Sequence, residues 1–122
     1  MKFELSQRFF FDAAHTLDRK IETASSARIH GHTYSGEVTV GGARDPASGM
    51  VMDLGLLRAA LDQVRQRLDH QFLDDIPELG APTLENLCVY VMNALKSAHI
   101  DACRVSIWRE GIGDRCTLTA SC

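Results

Sequence analysis

An antiparallel α+β layer fold is the class this chain predicts, with one sheet and two helices packed on one of its faces. Two observations carry that expectation. Segments with a strand period come in runs near both ends of the chain, and two segments with a helix period stand together between them. At 122 residues the chain is read as one domain, residues 1–122, with enough length for a single hydrophobic core.

The elements follow in order. Residues 2 to 14 alternate and then run apolar through "FFF", the pattern of a long strand. After His15 the polar stretch "TLDRKIETASSAR" reads as a loop. "HTYSGEVTVGG", residues 32 to 42, sets Tyr34, Gly36, Val38 and Val40 against polar or small neighbours and reads as a second strand. Pro46 and Gly49 in "RDPASG" mark a turn, followed by a short extended piece, "MVMD". Asp53 suits the N-cap of a helix from about 54 to 70, whose Leu57, Leu61, Val64 and Leu68 fall at steps of three and four. "DDIPELGAP" breaks the chain. Thr83 then caps a second helix, about 84 to 98, with Leu84, Leu87, Val91 and Leu95 on one face. "CRVSIWRE" and "RCTLTA" read as two more strands around a "GIGD" turn.

Composition narrows the function classes. Apolar residues make up 45% and charged residues 24%, as in soluble globular proteins generally. The formal charge of −3 offers no broad attraction for nucleic acid or an anionic membrane, so neither is expected as a partner. Arg19, Lys20 and Arg28 could still form a local basic patch, or simply a solvated loop. The N-terminal stretch breaks its apolar residues with Glu4, Gln7 and Arg8 and so lacks a signal-peptide core. Cys88, Cys103, Cys116 and Cys122 form no close pair of zinc-ribbon or redox type, and free thiols in the cytoplasm are the simplest expectation.

Chemistry concentrates in "ETASSARIHGHTY", residues 22 to 34. On a strand, His30 and His32 project from the same side, with Gly31 between them pointing the other way. His15 ends the first strand, and the connection from 16 to 29 can lay the two strands side by side. Three imidazoles then converge with a fourth tetrahedral position open, as in catalytic rather than structural zinc sites. Imidazoles would also suit iron, copper or nickel, and an isolated His-x-His is often no more than a neutral strand pair. A second cluster lies in "LDHQF". Adjacent Asp69 and His70 can set up an imidazole for proton transfer, or His70 can simply sit at a helix C-terminus favoured by the dipole. Glu110 ends the "VSIWRE" strand, where a carboxylate could accept from an amino-pyrimidine edge or lie in solvent. His99 reads as surface.

Together these segments resemble the 6-pyruvoyl-tetrahydropterin synthase family, its bacterial 6-carboxy-tetrahydropterin synthase branch most closely. "FFFDAAH" looks like the family's first strand, "RIHGHTY" like its His-Gly-His segment, and "DPASGMVMDLGLL" like its turn-strand-helix passage. "LDHQFLDDIPELGAPTLENL" is similar to the Leu-Asp-His segment and the start of the second helix, and "VSIWRE" falls at the glutamate-bearing strand. Five such matches in the right order span nearly the whole chain.

The resemblance implies a tunnelling fold, a four-stranded antiparallel sheet with two helices on one face. It implies assembly as a homohexamer of two trimers with active sites between subunits. It implies Zn2+ on His15, His30 and His32, Glu110 as the pterin anchor, and Asp69 and His70 in proton transfer from a neighbouring subunit. The implied substrate is 7,8-dihydroneopterin triphosphate, and the implied product of the carboxy branch feeds queuosine synthesis. The chain departs from that branch at one place. Its catalytic Cys, four residues before the first His of His-Gly-His, is here Ser26. An alcohol needs far stronger activation than a thiol, so Ser26 would serve only with Asp69–His70 as its base. Glu22 could take over as acid/base, echoing members that cleave the side chain to 6-hydroxymethyl-dihydropterin. A pterin reaction needing no thiol and a non-catalytic pterin- or metal-binding member are the remaining readings.

Overall fold

The computed structural model describes residues 1–121. Two 13-residue strands, β1 (Phe3–His15) and β2 (His30–Gly42), form its spine. They pair antiparallel along their whole length, from Phe3 opposite Gly42 to His15 opposite His30. In the loop between them lies α1 (Thr23–Ala27). The helices α2 (Leu54–Leu68) and α3 (Leu84–Ser97) flank β3 (Gln71–Phe72) and two short 3-10 turns, and β4 (Arg104–Arg109) and β5 (Asp114–Thr119) close the chain. The sheet order is β3-β1-β2-β4-β5. Every neighbouring pair is antiparallel except β1 with β3.

Each helix forms where its cap and apolar stripe coincide. The Asp53 carboxylate accepts from the Gly55 N–H at 2.8 Å, and the Thr83 hydroxyl accepts from the Asn86 N–H at 3.1 Å. Leu57, Leu61, Val64 and Leu68 of α2 are buried, as their spacing predicts. On α3 the buried set is Leu87, Cys88, Val91 and Leu95, with Leu84 packed at the core's edge. Both helices lie over the sheet face that carries Phe11, Tyr34, Val38, Val105 and Ile107. Opposite Phe9, Gly36 leaves room for that residue's ring, since a Cβ there would collide with it.

Four features differ from the sequence expectation. The sheet has a fifth strand, β3, because the chain leaving α2 is caught at the free edge of β1: the His70 N–H donates to the Asp12 carbonyl at 2.6 Å. "MVMD" is not a strand. The preceding loop closes on itself through Asp45 N–H to the Met50 carbonyl, 2.8 Å, and the chain then runs directly into the α2 cap. The loop after His15 contains α1, where hydroxyls of Thr23, Ser25 and Ser26 bond back to carbonyls one turn earlier. Finally, Cys88 and Cys116 are free thiols as expected, whereas Cys103 is disulfide-bonded, contrary to the expectation of a free thiol there; Cys122 lies outside the described residues. Among the described residues no helix is long and apolar enough to cross a membrane.

Candidate metal centre

The register of β1 and β2 decides which side chains meet. Residues directly opposite in an antiparallel pair share a face. His15 stands opposite His30, and His32 stands opposite Ala13, two residues back along β1. All three imidazoles therefore project to the helix side at one end of the sheet. His15 Nε2 lies 2.9 Å from His30 Nε2 and 3.1 Å from His32 Nε2. His15 is 1% exposed, and the other two are half-buried.

The other ring nitrogens fix the tautomers. His15 Nδ1 is 3.0 Å from the Pro82 carbonyl, and His30 Nδ1 is 2.7 Å from the Arg28 carbonyl. A carbonyl can only accept, so both Nδ1 atoms carry the proton and donate. In the neutral rings each Nε2 is then a bare lone pair aimed at the other. Burial, seconded by the neighbouring His30 and Arg109 charges, lowers the His15 pKa despite the Pro82 bond, and burial with Arg109 takes His32 down to about 4. Neutral imidazoles with converging lone pairs repel one another unless a cation lies at their focus. Ligand nitrogens about 2.0–2.1 Å from a tetrahedral ion sit roughly 3.3 Å apart, close to the spacings here. The three histidines thus fit a metal ion, with backbone carbonyls orienting two of them from behind, as metal-bound imidazoles require.

A second group, Asp12, Asp69 and His70, lies where α2 gives way to β3. The Asp69 carboxylate caps nothing in its own helix. It accepts the Asp12 N–H at 2.9 Å and holds His70 Nδ1 at 3.1 Å and Arg65 at 3.3 Å. The Asp12 N–H, ahead of Arg65 and His70, holds the Asp69 carboxyl below the usual carboxylate range. His70 has φ 58°, a left-handed conformation uncommon outside glycine, and its side chain is 80% exposed. It lines a hollow of about 510 Å³ with Asp12, Gly31, Thr33 and Phe72, which also reaches His32. Asp12 pairs with Thr33 and Ala14 with Gly31, so this hollow opens mainly on the sheet face away from the helices.

The remaining sequence-predicted residues are placed as follows. Ser26 is 5% exposed, and its hydroxyl donates to the Thr23 carbonyl at 3.2 Å. Glu22 takes the left-handed conformation, φ 56°, just before α1 and pairs with Arg19 at 3.3 Å. Glu110 accepts the Trp108 indole N–H at 3.1 Å and lines a hollow of about 260 Å³ with His32, Thr33 and Arg109. Among the described residues no thiol stands in for the absent cysteine: Cys88 is buried in the core, where burial pushes it up to about 12, Cys116 lies on β5, and Cys103 is disulfide-bonded. His99 is exposed.

Two contributors escaped the sequence reading. Tyr34 is buried behind the centre with its hydroxyl 3.5 Å from His15 Nδ1, and burial raises it to about 12. Arg109 presents Nη1 3.4 Å from His32 Nε2 while Nη2 donates to Asp114 at 2.6 Å. Strand alternation with the buried Val105 and Ile107 was the available signal for Arg109.

Comparison with known proteins agrees with this architecture. A chain named 6-pyruvoyl tetrahydropterin synthase, from Caenorhabditis elegans, superposes with a TM-score of 0.82 at 27% identity, covering 99% of this chain and 97% of that one. The 6-carboxy-5,6,7,8-tetrahydropterin synthase of a Synechocystis strain is 35% identical over 99 residues, 77% of this chain and 75% of the relative. A dihydroneopterin monophosphate aldolase from Pyrococcus furiosus is 35% identical over 111 residues, 88% of this chain and 90% of that protein. The sequence profile described as 6-pyruvoyl tetrahydropterin synthase matches residues 4–120, nearly the full length. With its histidine centre built on the same two long strands that the profile spans, the chain belongs to the 6-pyruvoyl tetrahydropterin synthase family.

Proposed function

We propose that this chain is a zinc-dependent lyase of 6-carboxy-/6-pyruvoyl-tetrahydropterin synthase type, acting on 7,8-dihydroneopterin triphosphate or a related dihydropterin. The observation that carries the reading is the convergence of three imidazole Nε2 atoms at one end of the sheet, in a chain whose relatives bear the names of pterin enzymes. His15, His30 and His32 would hold the ion, which when bound supplies Lewis-acid stabilisation of oxyanions on the substrate side chain.

The protein's own residues do the rest. Pro82 and Arg28 keep the Nδ1–H tautomer of His15 and His30, so their lone pairs stay directed at one point. His70, held through Nδ1 by Asp69, offers Nε2 to accept a proton from a side-chain carbon or oxygen and return it. Glu110 receives the amino-pyrimidine edge of the ring. His70 opens mainly on the sheet face opposite the histidine centre, which supports a homo-oligomer, a hexamer of two trimers, where a neighbouring subunit supplies it. Mixing His70→Ala with His32→Ala subunits should then restore part of the turnover that neither variant has alone. Ser26 could act only after giving up its bond to Thr23, so Ser26→Ala should leave turnover nearly unchanged if another group carries the proton.

A second reading has its own support. The aldolase from Pyrococcus furiosus aligns over 88% of this chain and 90% of its own length, and the loop lacks a thiol. Side-chain cleavage to 6-hydroxymethyl-dihydropterin is therefore the alternative. Incubating zinc-loaded protein with dihydroneopterin triphosphate and monophosphate separates the two. Triphosphate release with a 6-carboxy or 6-pyruvoyl product supports the first, and 6-hydroxymethyl-dihydropterin with a two-carbon aldehyde supports the second. Tight pterin binding without either product would leave a non-catalytic family member and overturn both.

A further inference from the structure

Arg109 brings a guanidinium to the histidine centre, and its hydrogen bonds are incomplete. Its side chain is 14% exposed, and its Nε is buried with no acceptor among the described residues. Nη2 is committed to Asp114 at 2.6 Å. Nη1 lies 3.4 Å from His32 Nε2, whose lone pair is the one a metal would take. With an ion bound, Nη1 would lose that neighbour, and the guanidinium would keep Asp114 and the Tyr34 hydroxyl as partners while Nε still lacks an acceptor. Buried donors in folded proteins are rarely left so. A guanidinium against a bound divalent ion is also a like-charge contact, and an anion placed between the two removes the repulsion. The adjoining hollow of about 260 Å³, reaching His32, Arg109, Gly111 and Ile112, has room for such a group. Its own carboxylate, Glu110, is tied to the Trp108 indole.

We infer that Arg109 and the His15–His30–His32 centre together form an oxyanion site, which selects ligands carrying a carboxylate or phosphate within reach of both. The inference rests on the metal reading proposed above and adds a charge requirement to it. A planar guanidinium matches either group through several N–H donors, which a lysine ammonium cannot reproduce.

The test uses the full-length protein loaded with cobalt(II), whose visible absorption reports exogenous ligands at a histidine site. Inorganic phosphate and acetate are titrated separately into wild type, R109Q and R109K, each first checked for one cobalt per chain. Wild type should reach half-saturation with at least one of the two anions at a concentration about tenfold or more below R109Q, the factor expected for hydrogen bonds to a charged group. R109K, which keeps the charge but not the fork, should fall between them. Whichever anion shows the larger ratio identifies the group that the site prefers. In anion-free buffer R109Q should bind cobalt more tightly than wild type, since the neighbouring positive charge is gone. Equal half-saturation in wild type and R109Q, with cobalt bound in both, overturns the oxyanion site alone. Failure of wild type to take up cobalt overturns the metal reading and the oxyanion site with it.

Discussion

Zinc should act as a folding ligand for this chain, and the size of its effect can be worked out. The converging Nε2 atoms form a site in the native fold, whereas the unfolded chain holds His15 and His30 fifteen residues apart with no fixed geometry. Zinc free at 1,000 times its dissociation constant stabilises such a fold by about 4.1 kcal/mol. At about 2.1 cal/mol/K per residue, 122 residues give an unfolding entropy near 0.26 kcal/mol/K, so the thermal midpoint should rise by about 16 °C. His30→Ala removes one of three ligands. Even changes behind a ligand lower affinity by about 10- to 100-fold, so a lost ligand costs at least the upper figure. The same zinc is then only about ten times its dissociation constant, worth about 1.4 kcal/mol or roughly 5 °C. The assay is a thermal melt after EDTA treatment, repeated across a zinc titration, for wild type and His30→Ala. Equal shifts in the two proteins would show that zinc binds elsewhere, and the histidine centre would lose its basis.

Three further outcomes are expected. Gly36→Ala places a methyl group against the Phe9 ring and should destabilise by about 1–3 kcal/mol in urea unfolding, while Gly111→Ala, in open space, should be near neutral. Stability of the metal-free protein should fall with acidity. Folding holds His32 at about 4, below the ordinary histidine value of 6.5, so the native state binds fewer protons than the unfolded state between those values. Its contribution is intact above pH 6.5 and drains away as pH drops toward 4. His32→Gln should flatten the thermal midpoint over that window in EDTA, and parallel curves would contradict the assignment. His70→Ala should lower kcat by about 10²–10⁴ with zinc stoichiometry unchanged, because His70 stands outside the ligand set. A loss of zinc in that variant would move His70 into the metal site.

The fold was legible wherever local pattern and tertiary burial agree. The stripe Leu57, Leu61, Val64, Leu68 and the caps Asp53 and Thr83 specify their helices outright. β3 could not be read, because two residues have no periodicity. It exists because α2 ends where His70 meets the open edge of β1. α1 was hidden for the opposite reason. "TASSA" is rich in residues that favour turns, and its single turn is held by hydroxyls bonding backward, not by an apolar stripe.

At the site, strand parity separates what the sequence could reveal from what it concealed. His30 and His32 announce themselves through a two-residue spacing, and the β1–β2 register adds His15 from far along the chain. The same parity applies to "VSIWRE". Val105 and Ile107 are buried beneath the helices, so residue 109 faces that side as well and residue 110 faces away from it. Chemistry drew attention to Glu110, since a carboxylate is a ready partner for an amino-pyrimidine. Alternation instead directs Arg109 to His32, at 3.4 Å, and leaves Glu110 beside Trp108 at the strand's end. The strand's end thus turns opposite charges to its two sides, with the guanidinium and not the carboxylate beside the histidines. A carboxylate there would attract a second cation or an amidine-like edge, whereas a guanidinium favours an anion and opposes protonation of the ring beside it, as the depressed His32 pKa reflects after burial. The charge requirement of the centre therefore follows from one position in the strand, and exchanging residues 109 and 110 would reverse it without altering composition, net charge or the histidine motif.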